Sequence, residues 1–170
     1  MLIRNSSRMN TEGFFMDAKA EISEIVLPTD ANILGNILGG KVMHLIDIAC
    51  AIAAFRHCRK PCVTASIDFL DFKHPIKVGE LITIKASLNR AFTTSMEIGA
   101  RVFSENLYTG EIKHTSSAYL TFVALDKEKM KPVAVKKYIP ETDNEIRRWK
   151  QAEIRRKHRL AGTKKLSGIK

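Results

Sequence analysis

The sequence predicts an α+β fold in which one curved antiparallel sheet wraps around a single long helix. Three observations carry that prediction. Residues 42–55 form an apolar run broken only by His44 and Asp47, and a helix that is apolar on every side is buried on every side. Several later segments alternate apolar and polar residues with a period of two, the signature of half-buried strands. Short turns join these segments, and short connections make strands antiparallel neighbours.

The elements follow in chain order. Residues 1–18 read as a flexible polar lead-in. Residues 21–27, with Ile22 and Val26 set among Glu21 and Glu24, form a first strand. Pro28, Asp30 and Asn32 then make a turn, since proline fixes φ and Asp and Asn bond their own backbone. Gly35, Gly39 and Gly40 punctuate the approach to the apolar helix. A second strand spans 63–72, with Val63, Ala65, Ile67 and Phe69 expected on one face. His74 and Pro75 end it, and Val78, Gly79 and Glu80 form a turn. Residues 81–89 set Ile82, Ile84, Ala86 and Leu88 against Thr83, Lys85, Ser87 and Asn89. Residues 96–103 repeat the pattern through Met96, Ile98, Ala100 and Val102. After a turn at 108–111, residues 114–125 form a longer strand rich in Thr, Tyr, Phe and Val. Residues 140–159 read as a polar C-terminal helix, acidic early and basic late as the helix dipole favours. Its apolar stripe of Ile146, Trp149, Ile154 and Leu160 is thin. The organisation is therefore a lead-in (1–18), a main domain (19–135) and a basic helix with tail (136–170). A single sheet around a single helix leaves an edge, and pairing with a second copy is the economical way to cover it.

Composition narrows the class. The 170 residues are 45% apolar and 27% charged, ordinary for a globular chain large enough to fold without disulfides or metals. Cys50, Cys58 and Cys62 give no disulfide framework, which fits a reducing cytosol. The apolar stretch near the N-terminus, Phe14 to Met16, is too short for a secretory signal core, and residues 42–55 are too few to span a bilayer. A cytoplasmic location without membrane insertion is the expectation. The net charge of +10 lies largely after Lys127. It permits attraction to phosphorylated ligands or polyanions, although a charge run is most often a solvated face. No phosphate-binding Gly-rich loop, nucleophile elbow or dinucleotide fingerprint is present.

Four groups of residues can carry chemistry. Asp47 lies in the middle of the apolar helix, where an ionised carboxylate must be paired, protonated or open to a cavity. Asn32 sits in the loop before it, a position that a turn-forming Asn also explains. Gly39 and Gly40 place bare backbone N–H groups at a helix N-terminus, where they suit an anion or oxyanion. His44 lies one turn from Asp47 and can share its face. His57, Cys58 and Cys62 match no strong zinc spacing, so no metal is expected.

Taken together, Pro28-Thr-Asp-Ala-Asn-Ile-Leu-Gly-Asn-Ile-Leu-Gly-Gly40 and Met43-His-Leu-Ile-Asp47 resemble the hotdog-fold acyl-CoA hydrolases. The branch is the one that includes the brain-type cytosolic enzymes and their bacterial relatives. Val63-Thr64-Ala65, residues 68–72, Pro75 to Glu80, Thr94-Ser95-Met96-Glu97, Phe122 to Asp126 and Lys131-Pro132 extend the resemblance, in order, over about residues 20–135.

The resemblance implies hydrolysis of acyl-CoA to free acid and CoA by a homo-oligomer, a hotdog dimer that in the family is often assembled further into a trimer of dimers; the residues leave dimer and hexamer both open. No specific nucleic-acid partner is implied, and no separate cofactor, because CoA is part of the substrate. The resemblance assigns the chemistry to Asp47, as general base or nucleophile, and to Asn32 supplied across the dimer interface. Gly39 and Gly40 would hold the oxyanion, and Thr93, Thr94 and Ser95 would hydrogen-bond the CoA chain. Leu38 stands where relatives carry phenylalanine, and Leu34 where they are often polar, which bears on acyl-chain preference. Two other readings remain beside it. A hotdog module can sense acyl-CoA without hydrolysing it, although the lead-in is too short for a helix-turn-helix. A hotdog dehydratase would want a histidine in the loop that here carries Asn32.

Overall fold

The structure is a computed structural model, and it describes residues 18–167, with side chains to residue 162; most of the lead-in lies outside the described residues. The strands are β1 (Lys19–Ile25), β2 (Cys62–Phe72), β3 (Leu81–Ala91), β4 (Ser95–Glu105) and β5 (Ile112–Ala124). The helices are α1 (Gly39–Cys58) and α2 (Asp143–Ser167). The strands form one sheet in the order β1-β3-β4-β5-β2, antiparallel at every pairing.

The concave face of the sheet holds α1. Ile82, Ile84, Ala86 and Leu88 of β3 are at most 3% exposed, as are Met96, Ile98, Ala100 and Val102 of β4, so the period-two reading of both strands holds. Ala118, Leu120, Phe122 and Ala124 of β5 continue this layer. Against it α1 sets Val42, Leu45, Ile46, Ala49, Cys50, Ala53 and Ala54. Their spacing of three and four residues describes one face of a helix.

The opposite face of α1 differs from expectation. Ile48 and Phe55 are 38% and 44% exposed there in the single chain. One sheet reaches only one side of a helix, so apolar residues on every side imply a second covering surface, which the described residues do not supply.

The face expected for β2 also fails. Bulges between Thr64 and Ser66 and between Ile67 and Phe69 shift its register against β5. Thr64 pairs with the core residue Phe122, but Ser66 pairs with Thr121 on the other face; Ile67 returns to Leu120, and Phe69 then pairs with Tyr119. Each bulge adds one residue and so flips the alternation. Val63, Ala65, Ile67 and Phe69 therefore do not share a face. Among the described residues β2 is an edge strand, and Val63, Ile67, Phe69 and Phe72 are 45–52% exposed along it.

Helix α2 runs to Ser167 and opens with a capping box: the Glu145 N–H donates to Thr142 Oγ1, and Glu145 Oε2 accepts from the Thr142 N–H. It packs on the convex side of the sheet, mainly through its charges. Arg155 forks onto the buried Glu97 of β4, Arg159 pairs with Asp68 of β2, and Glu153 pairs with Arg90 of β3, whose guanidinium stacks on Trp149. Ala152 is fully buried, whereas Ile154 and Leu160 of the expected stripe are 53% and 47% exposed. Part of the basic run is thus a docking surface and not a solvated face. Gly99 makes room for it: a Cβ there would sit 2.7 Å from the Asn89 amide nitrogen, which donates to Glu97.

Candidate active site

Asp47 lies midway along α1 at the border of its buried stripe (42, 45, 46, 49, 50, 53 and 54), on the flank turned toward the edge strand β2. Its carboxylate is partly exposed, which removes the cost of burying a lone charge. The Thr64 hydroxyl donates to Asp47 Oδ1 at 2.6 Å. Thr64 is brought there by β2, immediately before the first bulge. This fixes one carboxylate oxygen; among the described residues the other has no hydrogen-bond partner. Asp47 lies at one end of an apolar depression of about 590 Å³, lined by Ile48, Ala51, Ile52 and Phe55 and bordered by Arg56 and Arg59. Nothing in the sequence marks Thr64 as a site residue, because a threonine in a strand carries no signal of its own.

Asn32 follows a single 3-10 turn, Pro28–Asp30. Its Oδ1 accepts from the backbone N–H groups of Leu34 (2.9 Å) and Asn36 (3.3 Å), and Gly35 holds φ +73° between them. The turn-forming role is therefore real. It uses the carbonyl end of the side chain, and among the described residues the amide nitrogen has no acceptor.

Gly39 and Gly40 begin α1, and no side chain caps them. Their N–H groups belong to the first turn, which has no intrahelical acceptors. Gly39 approaches the ring of Phe72, and the space beside Gly40 is open. Thr93, Thr94 and Ser95 lie at the far end of α1. The Thr93 carbonyl accepts from Val135 N and the Thr94 carbonyl from Ala124 N, while His57 and Lys60 bond to the carbonyls of Lys136 and Ala134. Twenty helical residues span about 30 Å, so one chain does not gather both groups of predicted binding residues.

The remaining candidates separate. His44 is exposed and, among the described residues, is not bonded to Asp47. Cys58 and Cys62 place their sulfurs 3.0 Å apart beside the Lys60 carbonyl. Burial pushes the Cys50 thiol up, and the Asp47 carboxylate adds to the shift, so Cys50 stays protonated and is no nucleophile. Among the described residues no helix is long and apolar enough to cross a membrane.

The fold is shared with known proteins. Residues 34–111 match the family model described as Thioesterase superfamily. A Bacillus subtilis relative, the uncharacterized acyl-CoA thioester hydrolase YkhA, is 40% identical over 78% of this chain and 77% of its own. The crystal structure of a hexameric acyl-CoA thioesterase superposes with a TM-score of 0.83 at 39% identity, covering 86% of this chain and 94% of that one. An acyl-CoA hydrolase of Staphylococcus aureus, solved with butyryl coenzyme A and coenzyme A, gives a TM-score of 0.83 at 33% identity over 90% and 93%. Further structures of that hydrolase carry alanine at one Asp, one Asn and one Thr. With a five-stranded sheet wrapped on one helix and relatives of this similarity, the chain belongs to the Thioesterase superfamily, among its hotdog-fold acyl-CoA thioesterases.

Proposed function

We propose that this chain hydrolyses acyl-CoA thioesters with Asp47 as the reactive carboxylate, Thr64 as the group that orients it, and Asn32 of a second subunit as a donor to the water or the thioester carbonyl. The observation that carries the proposal is the Thr64–Asp47 hydrogen bond at the end of an apolar depression. The Asn and Asp altered in the S. aureus enzyme are 15 residues apart, and its Asp and Thr 17 apart. Asn32, Asp47 and Thr64 have the same two spacings.

The chemistry needs little more. Water attacks the carbonyl carbon as Asp47 takes its proton, and the tetrahedral intermediate expels the CoA sulfur as a thiolate. A thiol pKa near 8.5 makes a strong general acid unnecessary. The N–H groups of Gly39 and Gly40 suit the oxyanion. Arg56 and Arg59 border the depression.

Assembly follows from the exposed surfaces. An antiparallel two-fold pairing of β2 edges would cover Val63, Ile67 and Phe69 and bring the open faces of two α1 helices together. It would also set the N-terminal end of one α1 beside the C-terminal end of the other. Gly39 and Gly40 of one subunit would then approach Thr93, Thr94 and Ser95 of its partner. Three such dimers give the hexamer.

The direct test is free-thiol release from acyl-CoAs of graded chain length. Turnover on at least one length is expected. No turnover on any length, with CoA still bound, would replace hydrolysis by a sensing role. The shared site is tested by complementation. Asn32→Ala and Asp47→Asn, each inactive, are co-expressed and purified as mixed oligomers. Random mixing of dimers with two shared sites should restore about a quarter of wild-type activity. No recovery in verified mixed dimers would place both residues on one subunit.

A further inference from the structure

The proposed chemistry requires Thr64 to stay on Asp47, yet Thr64 lies on an edge strand next to a bulge. Among the described residues, β2 is held by β5 alone. Its two bulges leave Ala65 and Asp68 without register partners, so the strand is weakest just after Thr64. What ties this stretch down comes from the other side of the sheet. The Asp68 side chain is 7% exposed. Its carboxylate accepts from Ser66 Oγ at 3.1 Å and Thr121 Oγ1 at 3.4 Å, and Arg159 of α2 pairs with it. Arg159 also donates to Thr121 Oγ1 at 2.7 Å. Ser66 and Thr121 are register partners. One guanidinium therefore clamps the bulged segment to β5 and balances a nearly buried carboxylate that would otherwise favour opening toward water.

We propose that Arg159 is a positioning residue for the active site: acting through Asp68, it holds the β2 bulges so that the Thr64 hydroxyl stays on Asp47. The inference rests on the proposed roles of Asp47 and Thr64. It gives the C-terminal helix a part in turnover, although α2 lies across the sheet from the reacting groups. The helix does not depend on this contact for its place, because Arg155–Glu97 and Arg90–Glu153 anchor it separately.

The test is a kinetic cycle of Arg159→Ala and Thr64→Ala, alone and combined, with thiol release as readout. Arg159→Ala should lower kcat about tenfold with KM within about twofold, since small misplacements of a reacting group are costly. In the Thr64→Ala background the same change should have little further effect. Arg159→Lys should recover part of kcat, and Lys150→Ala, an exposed change on the same helix, should behave as wild type. If Arg159→Ala fails to fold, Asp68→Asn takes its place in the cycle, because it removes the charge and keeps the shape. Equal losses in both backgrounds, or a loss confined to KM, would overturn the inference and leave the function standing. A wild-type protein without turnover would overturn the function. Amide hydrogen exchange would then decide the clamp: about tenfold faster exchange over residues 64–68 in Arg159→Ala supports it, and unchanged exchange rejects it.

Discussion

Asp47→Asn is expected to fold normally and to release thiol about 10²–10⁴-fold more slowly than wild type, the range associated with loss of a positioned general base. Normal folding follows from location. Asp47 is on the flank of α1 toward β2, only partly buried, and its hydrogen bond is one that an amide oxygen can equally accept from Thr64. The melting temperature should therefore stay within a few degrees. The catalytic loss follows from charge: an amide neither takes a proton from water nor attacks a carbonyl. Unchanged turnover would remove Asp47 from the mechanism. The same residue allows base and nucleophile to be separated. In a single turnover of wild type in ¹⁸O-water, a general base places the label in the released acid alone. A nucleophile first forms an anhydride, and hydrolysis at its enzyme carbonyl puts the label in Asp47. Label in the side chain would thus convert the base into a nucleophile.

What the sequence discloses depends on whether a residue's environment comes from its own neighbours in the chain. The alternation of β3 and β4 was readable because both strands pack one face on α1 with regular pairing at Ile82, Ile84, Ile98 and Val102. The β2 pattern was misleading because a bulge leaves no mark in composition; Ala65 and Asp68 look like ordinary alternating positions. The helix α1 was rightly placed, but its uniform apolarity conflates two surfaces. One face meets the sheet, and the other, with Ile48 and Phe55, is open in a single chain. Asp47 stood out because a carboxylate among apolar residues needs an explanation. Thr64 did not, since only the fold brings it to Asp47 across 17 positions. The C-terminal helix is where the sequence places it, but its docking face was not legible, for a related reason. Arginines that meet Glu97 and Asp68 on the back of the sheet are, in sequence, indistinguishable from arginines that meet water.

That docking surface should be among the most sensitive parts of the molecule outside the active site. Glu97 is 1% exposed. Its carboxylate accepts from Arg155 Nε (3.1 Å) and Nη2 (2.6 Å) and from the Asn89 amide (2.9 Å). Arg155 also stacks on Tyr119, 3.7 Å from the ring centroid. Arg155→Ala would leave the carboxylate with a single neutral donor in a nearly closed place, and removing one partner of a buried pair costs about 3–5 kcal/mol. Glu97→Gln should cost less, about 1–2 kcal/mol, because the amide is neutral and the guanidinium, 20% exposed, still reaches solvent. The two changes should therefore not add. Placed on top of Arg155→Ala, Glu97→Gln should recover part of the lost stability, since it removes the uncompensated charge. Urea unfolding at one fixed protomer concentration measures this, the concentration being held because association contributes to apparent stability. Additive losses in the double variant would mean that Glu97 is hydrated once Arg155 is gone. A loss below about 1 kcal/mol in Arg155→Ala, the size of an exposed pair, would mean that α2 is held by its apolar contacts and not by its charges.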